Sequence, residues 1–151
     1  MSPLHAGMLN SYNACMPFET TCRVRYAETD QMGVVYHSNY IIYFEIGRTE
    51  AMRSLGSAYV ELETRGLVLA ITEVGAKYHA PARYDDVLTI RTWLRELSKA
   101  RLRFEYEISR DGARLCTGFT VLAFLDRRAG MKPVRCPDDV EQMMLPTVEP
   151  K

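Results

Sequence analysis

Residues 39–56 read NYIIYFEIGRTEAMRSLG, and their spacing is that of one long helix. Tyr40, Tyr43, Phe44, Gly47, Ala51 and Leu55 recur every three or four residues, while Glu45, Arg48, Glu50 and Arg53 fill the other faces. Ser38 or Asn39 offers an N-cap oxygen, and Gly56 follows the last apolar position, where a left-handed residue ends a helix. Such a helix spans ~25 Å. Gly47 in its middle costs about 1 kcal/mol of helix propensity relative to alanine. A residue without a Cβ repays that cost where a helix lies hard against a sheet, so Gly47 predicts the packing surface.

The flanking sequence supplies that sheet. Before the helix, Cys22–Tyr26 alternates, with Val24 and Tyr26 against Arg23 and Arg25, and reads as a short strand. After Gly66, Leu67 to His79 is nearly continuous in β-formers, and Pro81 with Asp85–Asp86 marks a turn. Leu88, Ile90, Thr92 and Leu94 then alternate with Thr89, Arg91, Trp93 and Arg95. Leu102, Phe104, Tyr106 and Ile108 do the same against Arg101, Arg103, Glu105 and Glu107. Asp111–Gly112 is a hairpin turn, and Leu115, Phe119, Val121, Ala123 and Leu125 carry a last strand that stops at Asp126–Arg127–Arg128. Pro137 with Asp138 and Asp139 opens a short final helix. An antiparallel sheet with one apolar face must cover it, and one long helix has the length to do so. The order predicts an α+β hotdog fold: a five-stranded antiparallel sheet wrapped round one long central helix. Residues 1–20 read as a flexible leader, 21–145 as a single domain and 146–151 as a tail.

Composition narrows the function classes. The chain has 151 residues, 47% hydrophobic and 25% charged, with 19 basic against 19 acidic groups. That balance gives no global field to attract nucleic acid or an anionic membrane. Cys15, Cys22, Cys116 and Cys136 form no CxxC pair, and His5, His37 and His79 are scattered, so no metal site is expected. Free thiols in the cytoplasm are the expectation. No basic segment followed by an apolar run marks a secretory signal, and no stretch approaches the roughly 18 apolar residues of a membrane span.

The chemistry-bearing segment is RYAETDQMGVVYHSNY, Arg25–Tyr40, between the first strand and the helix. It resembles the signature of the 4-hydroxybenzoyl-CoA thioesterase family, in its YbgC-like branch. The matching positions are Tyr26, Asp30, Gly33, Tyr36–His37 and Asn39–Tyr40; YFEIGRTEAMRSLG and HAPARYDDVLTI continue the likeness, which covers about residues 22–128. The resemblance implies a hotdog acyl-CoA thioesterase with its site between two subunits. Asp30 is then the nucleophile on the thioester carbonyl or the base that activates water. Gly33 and Val34 offer backbone amides to the developing oxyanion, with the helix dipole behind them. His37 orients water or stabilises the leaving thiolate, and Tyr26 hydrogen-bonds the carboxylate or lines the pocket.

Each assignment has a plainer rival. An Asp in a loop before a helix is ordinarily a cap or turn residue, and His37 by itself reads as a capping or packing residue. Tyr26 and Tyr40 read as core aromatics, and Glu45, the other candidate carboxylate, as a surface partner of Arg48 or Arg53. The phosphates of coenzyme A call for a cationic rim, for which Lys99, Arg101, Arg127, Arg128 and Lys132 are candidates. No cofactor is expected, since coenzyme A belongs to the substrate; an acyl-carrier-protein thioester is an alternative one. The sheet's open edges, with the resemblance, predict a homodimer or homotetramer. A non-catalytic acyl-binding protein, a hotdog dehydratase or hydratase, and a polyketide-type thioesterase are the competing functions.

Overall fold

The structure is a computed structural model that describes residues 17–148. Strand β1 (Phe18–Arg23) leads through a 3-10 turn (Tyr26–Glu28) to helices α1 (Asn39–Ser54) and α2 (Ser57–Thr64). Strands β2 (Leu67–Tyr78), β3 (Val87–Leu97), β4 (Arg101–Arg110) and β5 (Ala113–Asp126) follow, then a two-residue β6 (Lys132–Pro133) and helix α3 (Asp138–Met144). The sheet is antiparallel in the order β1-β3-β4-β5-β2, with β6 adding to the end of β5. It curls round α1. This is the hotdog fold.

The central helix obeys its spacing. Tyr40, Tyr43, Phe44, Gly47 and Ala51 are buried against Leu88, Ile90, Leu94, Phe104 and Ile108 of the sheet. Phe44 stacks on Tyr106 at 4.6 Å between ring centroids. A Cβ on Gly47 would lie 2.5 Å from Thr92 Oγ1 and 2.7 Å from Ile90 Cγ2, so the helix touches the sheet at the position that lacks a side chain. Gly56, at φ +60°, breaks the helix where expected. Asp111 and Gly112 both take positive φ in the β4–β5 hairpin, as a tight primed turn requires.

Three boundaries differ from the sequence reading. The first strand is Phe18–Arg23, not Cys22–Tyr26; it pairs with β3 from Phe18↔Thr92 to Arg23↔Val87. Its inward residues include Thr20 and Cys22, which give little hydrophobic contrast, so the alternation is faint. Tyr26 lies in the 3-10 turn and is 77% exposed, not a core aromatic. Helix α2 was not anticipated, because eight residues with only Ala58 and Leu62 buried are too few to show a period. Residues 1–16 of the expected leader lie outside the described residues, whereas β1 already begins at Phe18. Val148, in the expected tail, bridges Leu94 and packs on the core.

Strand β2 is a sheet edge, and Ile71, Val74 and Tyr78 along it are about half exposed. Among the described residues no helix is long and apolar enough to cross a membrane. Cys22, Cys116 and Cys136 are free thiols, and Cys15 lies outside the described residues. Burial pushes the Cys116 thiol up to about 12 and those of Cys22 and Cys136 to about 11. Alkylation of the native protein at neutral pH should therefore be slow at these three and fast after denaturation, as mass spectrometry would show. A stoichiometric disulfide in unreduced protein would contradict it.

Candidate active site

The loop between β1 and α1 is a small hairpin closed by a bridge between Thr29 and Val35. Asp30 donates its amide to the Val34 carbonyl at 2.9 Å, and its own carbonyl accepts from the Gly33 amide at 2.9 Å. Gly33 takes φ +76°, the left-handed value that lets the chain reverse there. The Asp30 side chain accepts from the Met32 amide at 2.8 Å, an Asx turn. Its partly buried carboxylate thus sits at the tip of a well-bonded turn. The Gly33 amide, expected to face an oxyanion, is committed inside that turn. Among the described residues the amides of Val34, His37 and Ser38 have no protein acceptor, and the last two immediately precede α1. Amides left open just before a helix are where an anion can be received.

Two connections seat the hairpin. Its second arm joins the β2–β3 connection: the Val35 amide donates to the Ala82 carbonyl at 2.8 Å, and the Ala82 amide to the Tyr40 hydroxyl at 3.3 Å. The first arm is held through Glu28. The Glu28 carbonyl accepts from the Tyr36 amide at 2.9 Å and from Asn39 Nδ2 at 2.8 Å. Ser38 is the N-cap but makes no side-chain capping bond; Asn39 reaches back to the turn instead. The Glu28 carboxylate, 7% exposed, accepts from the Arg25 amide at 2.8 Å, the Arg25 guanidinium at 3.0 and 3.1 Å, and the Tyr43 hydroxyl at 3.0 Å. Burial pushes its pKa up, but those hydrogen bonds and the Arg25 charge outweigh it, so the carboxyl titrates below the ordinary range. Its stabilising contribution is therefore present above the unfolded glutamate's pKa and is lost as pH falls through the folded value. Sequence reasoning missed Glu28; its sign was the Arg25-to-Glu28 spacing of a capping box, masked by an arginine at the cap.

The other expected residues are spread. His37 is exposed, with its ring 4.4 Å from that of Tyr36, and its carbonyl accepts from the Tyr78 hydroxyl at 2.9 Å. With Val35, Tyr40, Tyr78 and His79 it lines a cleft of about 300 Å³ at the mouth of the hairpin. Tyr26 rests edge-on against Tyr84, 5.6 Å away. Glu45 is exposed and pairs with neither arginine expected for it: Arg53 pairs with Glu50, and Arg48 reaches inward to the Tyr106 hydroxyl at 3.4 Å.

The cations lie at the opposite end of the sheet from Asp30. Strand β2 runs from Leu67, paired with Asp126, to Tyr78, paired with Cys116, a length of roughly 35 Å. Arg127, Arg128 and Lys132 follow the Asp126 end, and Lys99 and Arg101 lie beside it. Lys99 is neutralised by Asp138 and Glu141. Arg128 donates to the Thr64 carbonyl at 2.7 Å, while Arg101, Arg127 and Lys132 are exposed. Arg127 shares with Arg48 and Leu69 a second cleft of about 370 Å³. A hollow of about 700 Å³ lies on the outer sheet face over Trp93 and Phe119. There Arg91, Arg95, Arg103 and Arg114 share Glu105 and Glu107, and Lys77 also lines the hollow, so its five cations outnumber its two carboxylates and it presents a net positive, ion-paired surface. Among the described residues no three His, Cys, Asp or Glu side chains come together as a metal site would need.

Comparisons with known proteins bear on the family and the fold. A family model described as the thioesterase-like superfamily matches residues 24–144. The acyl-CoA thioesterase YbgC of Haemophilus influenzae is 34% identical over 125 residues, 82% of this chain and 91% of that protein. Among solved structures, the hypothetical protein TT1821 of Thermus thermophilus superposes with a TM-score of 0.79 at 39% identity, covering 85% of this chain and 98% of that one. A DHNA-CoA thioesterase from Staphylococcus aureus gives a TM-score of 0.72 at 34% identity, covering 78% of each chain.

Proposed function

Because this chain belongs to the thioesterase-like superfamily, we propose that it hydrolyses an acyl-CoA thioester to the free acid and coenzyme A, in the manner of the YbgC-like branch, with Asp30 as the acting carboxylate. The observation that carries this is the loop itself: a partly exposed carboxylate at a well-bonded turn, in the segment that leads through the His37 and Ser38 amides, without an acceptor among the described residues, into a 16-residue helix. Asp30 attacks the thioester carbonyl or deprotonates a water that does so. The amides of Val34 and His37, with the positive end of the α1 dipole, take the charge that builds on oxygen. The His37 ring faces the departing sulfur, and Tyr26 borders the entrance.

The acting unit is a dimer. Antiparallel pairing of β2 with its copy satisfies the open edge and covers Ile71, Val74 and Tyr78. It also turns the Asp126 end of one subunit toward the hairpin end of the other. The exposed cations Arg127 and Lys132 then approach the partner's site, where the phosphates of coenzyme A need them. Within a single chain the two lie at opposite ends of the sheet.

Purified protein should release free thiol from at least one member of a panel of short, long and aromatic acyl-CoAs, followed with a thiol dye, and should scatter light as a dimer or a multiple of one. No release from any member would reject the hydrolase in favour of a non-catalytic acyl-binding protein. Full turnover by a monomer would reject the shared site.

A further inference from the structure

We propose that Glu28 is the positioning residue of the Asp30 loop: its buried carboxylate, gripped by Arg25 and Tyr43, sets where the hairpin arm that carries Asp30 lies on α1. This rests on Asp30 being the acting carboxylate. Between Val24 and Val35 only Glu28 is buried; Arg25–Ala27 and Gln31–Gly33 are exposed, and Thr29, Asp30 and Val34 are intermediate. The arm leading to Asp30 therefore enters the protein through one side chain, and that side chain is charged.

Burying a carboxylate costs several kcal/mol unless every lone pair is met, and an apolar residue in its place is often no worse for stability. What the charge adds is direction. Its partners come from both sides of the loop: Arg25, two residues after β1, and Tyr43 one helical turn after Asn39, which holds the Glu28 carbonyl. Helix α1 thus grips the residue two before Asp30 at both its backbone and its carboxylate. An apolar side chain in that slot would slide or rotate; a carboxylate with three fixed donor groups does not. Burial and the Glu28 carboxylate push the Tyr43 phenol up, so it remains a donor at any working pH. Misplacing a reacting group by about 1 Å can cost ~100-fold in rate.

The test is steady-state kinetics on Glu28→Gln, Tyr43→Phe, Asp30→Asn and the double variant Glu28→Gln with Asp30→Asn, each with its melting temperature. Glutamine keeps the size but turns an NH2 toward donors, so Glu28→Gln should lower kcat about 10- to 100-fold with KM changed less than about twofold. Tyr43→Phe, which keeps the apolar bulk, should lower kcat about three- to tenfold. With Asp30 already replaced, Glu28→Gln should cost almost nothing further, because no carboxylate remains to be aimed. Melting temperatures that fall while kcat per folded molecule stays at the wild-type value would overturn the proposal, as would fully additive losses. Should Glu28→Gln fail to fold, Tyr43→Phe decides in the same way. If Asp30→Asn keeps full activity, the catalytic assignment of Asp30 has failed, a result separable from a silent Glu28→Gln beside an inactive Asp30→Asn.

Discussion

Asp30→Asn should fold, dimerise and bind acyl-CoA as the wild type does, and should turn it over at least ~100-fold more slowly, the lower end for losing a group that makes or moves the reacting bond. The prediction is clean because of what the side chain does structurally. Asp30 accepts one hydrogen bond, from the Met32 amide, and an asparagine oxygen accepts it equally well. The hairpin bonds from Asp30 to Val34 and Gly33 are backbone bonds and survive the change. What disappears is the negative charge and the nucleophilic oxygen pair. A turn residue would lose nothing; a nucleophile or general base would lose its function. Measurement of kcat and KM on a good substrate, with a melting curve beside it, separates the two. An Asn variant with near wild-type kcat would return Asp30 to the status of an Asx turn. Glu45, exposed on α1 and without an ion pair among the described residues, would then be the next carboxylate to replace.

The helix and strands β3 and β4 were legible because each carries a long stripe whose polar and apolar halves differ sharply; β2 and β5 showed only as runs of β-formers between turn signals, and on β5 the buried face is Thr120, Leu122 and Phe124 rather than Phe119, Ala123 and Leu125. Leu102, Phe104, Tyr106 and Ile108 against Arg101, Arg103, Glu105 and Glu107 allow only one face to be buried. Strand β1 was misplaced because Thr20 and Cys22 on its inner side scarcely differ in polarity from Thr21 on its outer side. Asp30 stood out only through the pattern around it, since a lone Asp before a helix is usually a turn residue, which structurally it also is. Glu28 was illegible for a physical reason. Buried carboxylates are identified by their partners, and Tyr43 lies fifteen residues away on a helix face whose aromatics all read as core. The cationic rim was legible as composition but not as position. Lys99 is consumed by α3, an element whose docking its own sequence does not announce.

Gly47 tests the fold at the point where sequence and packing meet most directly. On an isolated helix, Gly47→Ala gains about 1 kcal/mol. Here the new Cβ would fall 2.5 Å from Thr92 Oγ1 and 2.7 Å from Ile90 Cγ2. Both atoms sit one bond beyond a β-carbon on branched side chains with few alternative rotamers, so the clash is relieved chiefly by moving α1 off the sheet. Overpacking of that kind costs about 1–3 kcal/mol, enough to reverse the propensity gain. Gly47→Ala should therefore destabilise by ~1 kcal/mol, and Gly47→Leu by ~3 kcal/mol or more. For a chain of this size the larger change lowers the melting temperature by roughly 6–12 °C. Thr92→Ala supplies the control. It removes the nearer obstacle and a buried hydroxyl that has no partner among the described residues, so Gly47→Ala should be less harmful in that background than alone. Calorimetry on the four proteins of that cycle gives the sign of the coupling. A Gly47→Ala variant that melts higher than the wild type would mean that the helix stands further from β3 than 2.5 Å allows, and that its glycine serves something other than close approach.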